Sequence, residues 1–459
     1  MTIKSYSILL GAALLMGSCG KNFLEKKRDE KLVIPKTIQD YQSLLDNTSV
    51  MNSGNAMNHL ALSSADEFNA SDKTFNTYKG ALPYQTNAHI WEKEIYERKE
   101  GMDWNQAYHR IMIANLALEV SKLNPANAAE KLALDNTRGS ALFFRAYSFY
   151  YLAQQFCQPY NAATASSDPG VPLKDDYDIT VKLPRGNVAQ VYDFIIKDLK
   201  EAIGLLPDKQ EFVTRPGKAA AAALLAKTYL QMNNYEKVFE YAEMAMKING
   251  TITKFRLPDM GKNPLYPSDY GKSNPEVLFH AQSIRPGLAL VESNVTPEVM
   301  DLFEPGDLRK TGFFLTDIKG FVTFKGSPAS GINAFTGITT TEVLLMRAEA
   351  YARLNQTDQA MADLNLLRSM RFDDTFQPLT ASNATEAIKL IIRERRMELY
   401  SRGTRWEDLR RLNRDPQFAS TLTRMINGAK YTLEPNSPRY TFPLPDNEIE
   451  ANNYTQNPR

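Results

Sequence analysis

Apolar residues recur at three- and four-residue steps through much of this chain, the spacing that lines one face of an α-helix. Leu142, Ala146, Phe149, Ala153 and Phe156 form one such stripe. It predicts a helix pair over about 104–122 and 132–156. Val191, Ile195, Leu199, Ala202 and Leu206 form another, in a helix expected over 188–205 that begins after Arg185-Gly186-Asn187 and stops at Pro207. A helical hairpin follows over 218–248 with its turn at Asn233-Asn234, and a second over 341–370 with its turn at Asn355-Gln356. The last long helix is expected over 385–401, with Gly403 as a left-handed cap.

Two of these hairpins match position by position. Ala226, Tyr229, Val238, Ala242 and Ala245 share their spacing with Ala348, Tyr351, Ala360, Leu364 and Leu367. Small residues where helices cross, followed three positions on by an aromatic, form the tetratricopeptide pattern. A hairpin of this kind cannot bury its stripe alone, so neighbours must stack on it. The fold class read from this is mostly α: a tetratricopeptide-like repeat scaffold with long variable loops and a few short strands. Helix pairs are expected near 104–156, 188–248, 341–370 and 385–412. Between them, 49–103, 158–185 and 250–340 lack periodicity and are rich in Gly, Pro, Asn and aromatics, as loops that carry function on a scaffold are.

The N-terminus adds an address. Lys4, a short apolar run from Ile8 to Met16, and the small pair Gly17-Ser18 precede Cys19, the layout of an export signal over 1–18. With the cut before Cys19, its thiol and freed amine can carry acyl chains, which hold a protein to a membrane without a spanning helix. The alternative is an ordinary secretory peptide with a chance cysteine. Residues 19–35 are charge-mixed and end at Pro35, a tether ahead of a single folded domain over 36–459.

Composition then excludes several classes. With 54 basic and 53 acidic side chains the formal charge is +1, so nothing points to nucleic acid. The chain has two cysteines, and if Cys19 is acylated Cys157 has no disulfide partner. Phosphate loops, paired cysteines, the His-Glu-x-x-His pattern and nucleophile elbows are absent. The four histidines, His59, His89, His109 and His280, are scattered singly. No cofactor, metal or catalytic residue is therefore expected. Adjacent acids such as Asp175-Asp176 and Asp373-Asp374 point different ways and define no glycosidase pair.

The segment from Ile391 through Arg393-Glu394-Arg395-Arg396-Met397-Glu398 to Arg405-Trp406-Glu407-Asp408 and Arg411 resembles the signature of the SusD/RagB family of outer-membrane nutrient-binding lipoproteins. Glu342 to Ala350, Arg145-Ala146 with Tyr150, Gly170-Val171-Pro172-Leu173 and Phe442-Pro443-Leu444-Pro445 resemble further parts of that family. Leu444 stands where the family often has Ile, and Cys157 where it often has Gly. The resemblance implies a lipid-anchored protein on the outer membrane, facing the cell exterior. It implies as partner a SusC-like TonB-dependent transporter, to which a captured oligosaccharide or peptide is delivered. A scaffold that binds only the transporter is the remaining possibility.

Two groups of residues are singled out. Trp91, Tyr84, Tyr78 and Tyr96, with Asp66, Asn69 and Asn87 as polar neighbours, are the candidate ligand contacts, because sugar rings stack on flat side chains while their hydroxyls need polar partners. Trp91 heads the group, with helix packing as its competing role. Arg393, Glu394, Arg395, Arg396, Glu398, Arg405, Trp406 and Asp408 are read as a structural girdle, in which guanidinium forks hold carboxylates of the stacked repeats. Phe313, Phe314, Phe321 and Phe324 are read as packing.

Overall fold

The computed structural model describes residues 35–54 and 58–459. Cys19, the expected signal and the tether as far as residue 34 lie outside the described residues. Helix α1 (Ile38–Leu45) opens on a capping box between Thr37 and Asp40. After a single turn at Thr48–Met51 come the short helices α2 (His59–Ser64), α3 (Asp72–Ala81) and α4 (Pro83–His89). The stretch expected to be irregular over 49–103 is thus largely helical. Helices of two or three turns repeat a stripe too few times for periodicity to register, and tertiary packing holds them.

The expected scaffold helices are all present. They are α5 (Met102–Leu118), α6 (Ala128–Phe156), α7 (Val188–Leu205), α8 (Lys218–Gln231), α9 (Tyr235–Ile248), α10 (Thr340–Arg353), α11 (Thr357–Ser369), α12 (Ala384–Glu398) and α13 (Thr404–Leu412). A short α14 (Asp446–Asn452) closes the chain. Asparagine caps four of the scaffold helices: Asn127, Asn187, Asn234 and Asn383 each accept the N3 amide of α6, α7, α9 and α12. Each such cap stabilises its helix by about 1 kcal/mol. Gly403 adopts φ +80° between α12 and α13, and a side chain there would collide with Asn58, so glycine is required both for conformation and for space.

Neighbouring helices stack in order from α5 to α10, and α10 packs on both α11 and α12. The matched repeat positions face inward: Ala226, Val238, Ala242, Ala245, Ala348, Ala360, Leu364 and Leu367 are fully buried. The aromatic of each repeat seals the crossing. Tyr229 stacks on Tyr241 at 5.8 Å, and Tyr351 lies 5.0 Å from Phe239. The alanine run of α8, Ala219 to Ala223, is buried throughout, which lets α7 and α9 approach it closely.

Short strands hang on this scaffold. Strands β1 (Phe68–Ala70) and β2 (Ser293–Val295) pair antiparallel with Asn69 opposite Asn294. Strands β3 (Phe314–Thr316) and β4 (Val322–Phe324) form a hairpin, and β5 (Leu422–Ile426) with β6 (Ala429–Leu433) a second. Phe313, Phe314 and Phe324 are buried against Tyr400 and one another, so they pack as expected; Phe321 is partly buried.

The girdle is an interior lattice of charge. Arg309, on the loop side, reaches Asp307 at 2.8 Å, Glu394 at 2.6 Å and Glu398 at 3.1 Å. Arg371 joins Glu398 and Glu276 at 2.8 and 2.9 Å. Asp408 is shared by Arg395 and Arg411, and Arg411 reaches on to Glu349 at 2.6 Å. Burial pushes the Glu398 and Asp408 carboxyls up, but the facing guanidinium groups override it and hold both at about 2. Arg393 bonds the Leu302 carbonyl at 2.6 Å and pairs with Glu304. Arg410 donates to the carbonyls of Gln154 and Cys157 at the end of α6, where positive charge also complements the helix dipole. Trp406 is fully buried and stacked on Phe442 at 5.3 Å.

Candidate binding face

Four of the seven candidate contacts lie in the core. Trp91 is 1% exposed, its indole N–H donates to the Ser64 carbonyl at 2.9 Å, and the Arg424 guanidinium covers its ring at 4.7 Å. Arg424 in turn donates to the carbonyls of His89 and Ala65, tying α2 to α4. Tyr84 and Tyr96 are buried with Trp91 in the main hydrophobic core. Asn87 is buried and spends its amide on the Ile95 carbonyl at 3.1 Å and Glu97 at 2.9 Å. None of these offers a ring face or amide to a ligand. The expectation fails for a physical reason: the stretch folds as helices, and its aromatics fill the interior that those helices create.

Asp66 is placed by a different force. Arg405 grips its carboxylate with a fork at 2.7 and 2.9 Å, and Arg396 adds a third bond at 2.9 Å. Against burial, these two cations hold the Asp66 carboxyl well below the usual carboxylate range. Both oxygens are committed to the signature segment, so Asp66 fastens the N-terminal loops to α12 and α13. The neighbouring Glu67 accepts the Ser401 amide at 3.0 Å. Burial pushes its carboxyl up to about 7, against that hydrogen bond.

The remaining two candidates, Asn69 and Tyr78, come together with residues from far along the chain. In the β1–β2 pair Asn69 and Asn294 stand side by side and both are exposed, the alternate positions Phe68, Ala70, Ser293 and Val295 being buried. Asn294 accepts the Val322 amide through Oδ1 at 2.8 Å, which fixes its orientation. Next to them Glu292 accepts from Lys73 at 3.1 Å and from Lys319 at 2.8 Å, both on Oε1. The pairs with Lys319 and Lys73 hold the Glu292 carboxyl below its ordinary value. The Tyr78 ring lies against Gly287, where any side chain would come within 2.4 Å of it. Val291 and Leu315 remain half-exposed at the rim.

Beneath this face a narrow pocket of about 20 Å³ runs in between Phe68, Val322 and Phe324 to Glu67, Arg285 and Tyr400, a volume that suits one water molecule. Arg285 is buried there; its Nε and Nη2 donate to the Ile332 and Phe324 carbonyls at 3.0 and 3.2 Å. Chemically the face presents an amide pair, a carboxylate with one oxygen unbonded among the described residues and two ammonium groups beside apolar edges. Such a surface can take up hydroxyl groups and shield the flat face of a ring. Sequence reasoning missed Asn294, Glu292 and Lys319, which lie in or beside strands of three residues with no pattern to mark them, and Lys73, which lies in the first turn of the short helix α3.

A family model described as starch-binding, associating with the outer membrane, matches residues 22–230, and one described as the SusD family matches residues 318–459. The SusD-like protein P2 of Formosa agariphila is 31% identical over 179 residues, 36% of this chain. The matched part spans 33% of that relative's length. A SusD superfamily protein from Bacteroides thetaiotaomicron superposes with a TM-score of 0.74 at 21% identity, covering 92% of this chain and 100% of that one. A putative sugar binding protein from Bacteroides vulgatus gives 0.73 at 22% identity, covering 93% and 99%. The solved structures share the helical fold; matched over residues 22–230 and 318–459 by the two family models, this protein belongs to the SusD family.

Proposed function

We propose that the protein is a cell-surface binder that captures an oligosaccharide on the β1–β2 face and passes it to a SusC-like TonB-dependent transporter. The observation that carries this is the composition of that face: paired exposed amides, a carboxylate between two lysines, and apolar edges, all held on a rigid base. The base is the Asp66 clamp, which joins the loops to the repeat scaffold through three charge-assisted bonds. Cys19 is the expected anchor to the outer membrane. Among the described residues no helix is long and apolar enough to cross a membrane, so attachment through acyl chains is the consistent reading. Residues 36–459 are read as one folded unit.

We read the face as gripping without cutting. Asp66 has both oxygens bound to arginines, which leaves Glu67 without a second free carboxylate beside it for general acid–base work. Electrophoresis through gels containing polysaccharide tests the binding. Retention should weaken about tenfold when Asn69 and Asn294 both become Ala, the loss of one or two hydrogen bonds to ligand, while the loss of the Val322–Asn294 bond lowers stability by no more than about 1 kcal/mol. Heats with oligopeptides and none with sugars would move the assignment to peptide uptake. Labelling with a fatty-acid probe tests the anchor, copurification with a barrel tests the partner, and turnover of a chromogenic glycoside would overturn the reading as a binder.

A further inference from the structure

A second concavity, sharing no residue with the β1–β2 face, opens between α5, the segment 172–182 and the C-terminal α14. It measures about 520 Å³, within the range of small-molecule sites. From α5 come Trp104, Tyr108 and Met112, four and eight positions apart on one helix face, with Asn105 beside them.

The segment that roofs the cleft is an arch pinned at both feet. At one foot Tyr108 donates to the Pro172 carbonyl at 2.8 Å, and Asn115 donates to the carbonyls of Lys174 and Asp176 at 3.1 and 2.9 Å. At the other, Lys182 donates to the Ala451 carbonyl and Tyr454 to the Leu183 carbonyl, each at 2.8 Å. Between the feet Asp178 accepts the amide and hydroxyl of Thr180 at 2.8 and 2.7 Å. The span is therefore shaped rather than slack.

Yet it leaves Tyr177, Ile179 and Val181 exposed by 43%, 79% and 44%. Three apolar side chains at alternate positions, kept open beside a concavity, mark a surface that something covers. The polar lining is suited to hydroxyl groups. Asn105 has no side-chain partner among the described residues, and Glu448 takes bonds from Trp104 and Asn452. Burial raises the Glu448 carboxyl, against the bond from Trp104. Asp176, Asp178 and Glu448 outnumber Lys174 and Lys182, whose ammonium groups are already spent on backbone carbonyls.

We propose that this cleft is a second binding site, for a short neutral oligosaccharide, in which Tyr177 closes over a sugar ring and Asn105 holds its hydroxyls. The sugar class rests on the reading of the protein as a glycan binder, while the location rests on the cleft alone. Two sites on one anchored protein raise the local concentration of a chain long enough to engage both.

Tryptophan fluorescence of the full-length protein isolates the cleft, because Trp104, though itself only 3% exposed, forms part of its wall, while Trp91 and Trp406 do not border it. Titration with a panel of neutral α- and β-linked gluco-, manno- and galacto-oligosaccharides should give a saturable change with at least one. The change should vanish in Trp104→Phe, and Tyr177→Ala or Asn105→Ala should weaken it about tenfold. Asn69→Ala should leave it intact. If no sugar alters the emission while retention in polysaccharide gels persists, or if Tyr177→Ala binds as tightly as the parent, the second site is refuted and the β1–β2 face stands. A response to oligopeptides alone refutes the sugar assignment, and loss of all sugar binding refutes the proposed function with it.

Discussion

Asp66 and Glu292 are each a carboxylate bridged by two cations, and they do opposite work. Asp66 is held by Arg405 and Arg396, with both oxygens engaged at 2.7 to 2.9 Å. Glu292 is held by Lys73 and Lys319, both on one oxygen, and the two lysine side chains are 77% and 60% exposed. An arginine fork is planar and pre-organised, so the first arrangement is a fixed joint. An ammonium on a flexible stem exchanges partners with water and solutes, so the second is a surface that can be remade around a ligand. Scaffold and binding face thus use the same charges, and exposure with the choice of cation decides which becomes rigid.

The sharpest way to break the rigid half is Arg371→Met. It strands Glu276 in the interior without its cation and leaves Glu398 to Arg309 alone. A buried charge left unpaired costs about 3–5 kcal/mol, read as a drop in the denaturation midpoint. Arg371→Met combined with Glu276→Gln should recover part of that loss, since the orphan charge is removed. Trp91→Ala follows, at ~3 kcal/mol for the cavity and the lost cover of Arg424. It should lower stability without altering affinity per folded molecule; a specific loss of ligand binding at full stability would restore Trp91 as a contact.

The scaffold was legible because its helices are long. Stripes repeating over the 14 residues of α8 and again over the 14 of α10 announce themselves, and asparagine caps mark where several start. The arginine-rich signature was legible as chemistry, since so many guanidinium groups near carboxylates must pair. The site was far less so. Asp66 finds its partners 330 and 339 positions away, and no local pattern encodes such a contact. Trp91, Tyr84 and Tyr96 looked like contacts because loops were expected around them; once α2 and α4 form, those rings become the core beneath. Part of the face also lies in residues 231–317, which neither family model matches.

Glu67 sits at the boundary of the two halves, and pH separates them there. Its folded carboxyl titrates at about 7 rather than 4.5, so between those values the folded state keeps a proton that the unfolded chain has released. Stability from this group therefore falls as pH rises from about 4.5 to 7 and is level above. Glu67→Gln removes the penalty while an amide oxygen can still accept the Ser401 N–H. The variant should match the parent near pH 4.5 and exceed it by ~1–2 kcal/mol above pH 7, below the limit of about 3 kcal/mol that the full shift implies. Equal melting curves at pH 8 would mean that water reaches the carboxylate and that the pocket belongs to the face rather than to the core.

The smallest effect on stability sharpens the comparison most. Asn69 is exposed on a strand of three residues and makes no side-chain bond among the described residues, so Asn69→Ala should change unfolding free energy by less than about 0.5 kcal/mol. The Asp66 clamp three positions away keeps β1 in place regardless, which means that a lost amide is not followed by a lost strand. Retention on polysaccharide should nevertheless weaken, by the few-fold that one hydrogen bond to a sugar hydroxyl represents. Arg405→Lys gives the converse: the charge is kept, the fork is lost, and the face should loosen, so stability and retention fall together. If instead Asn69→Ala leaves retention untouched while Arg405→Lys abolishes it at unchanged stability, the arginine clamp itself faces the ligand, and the division between rigid joint and remade surface does not hold.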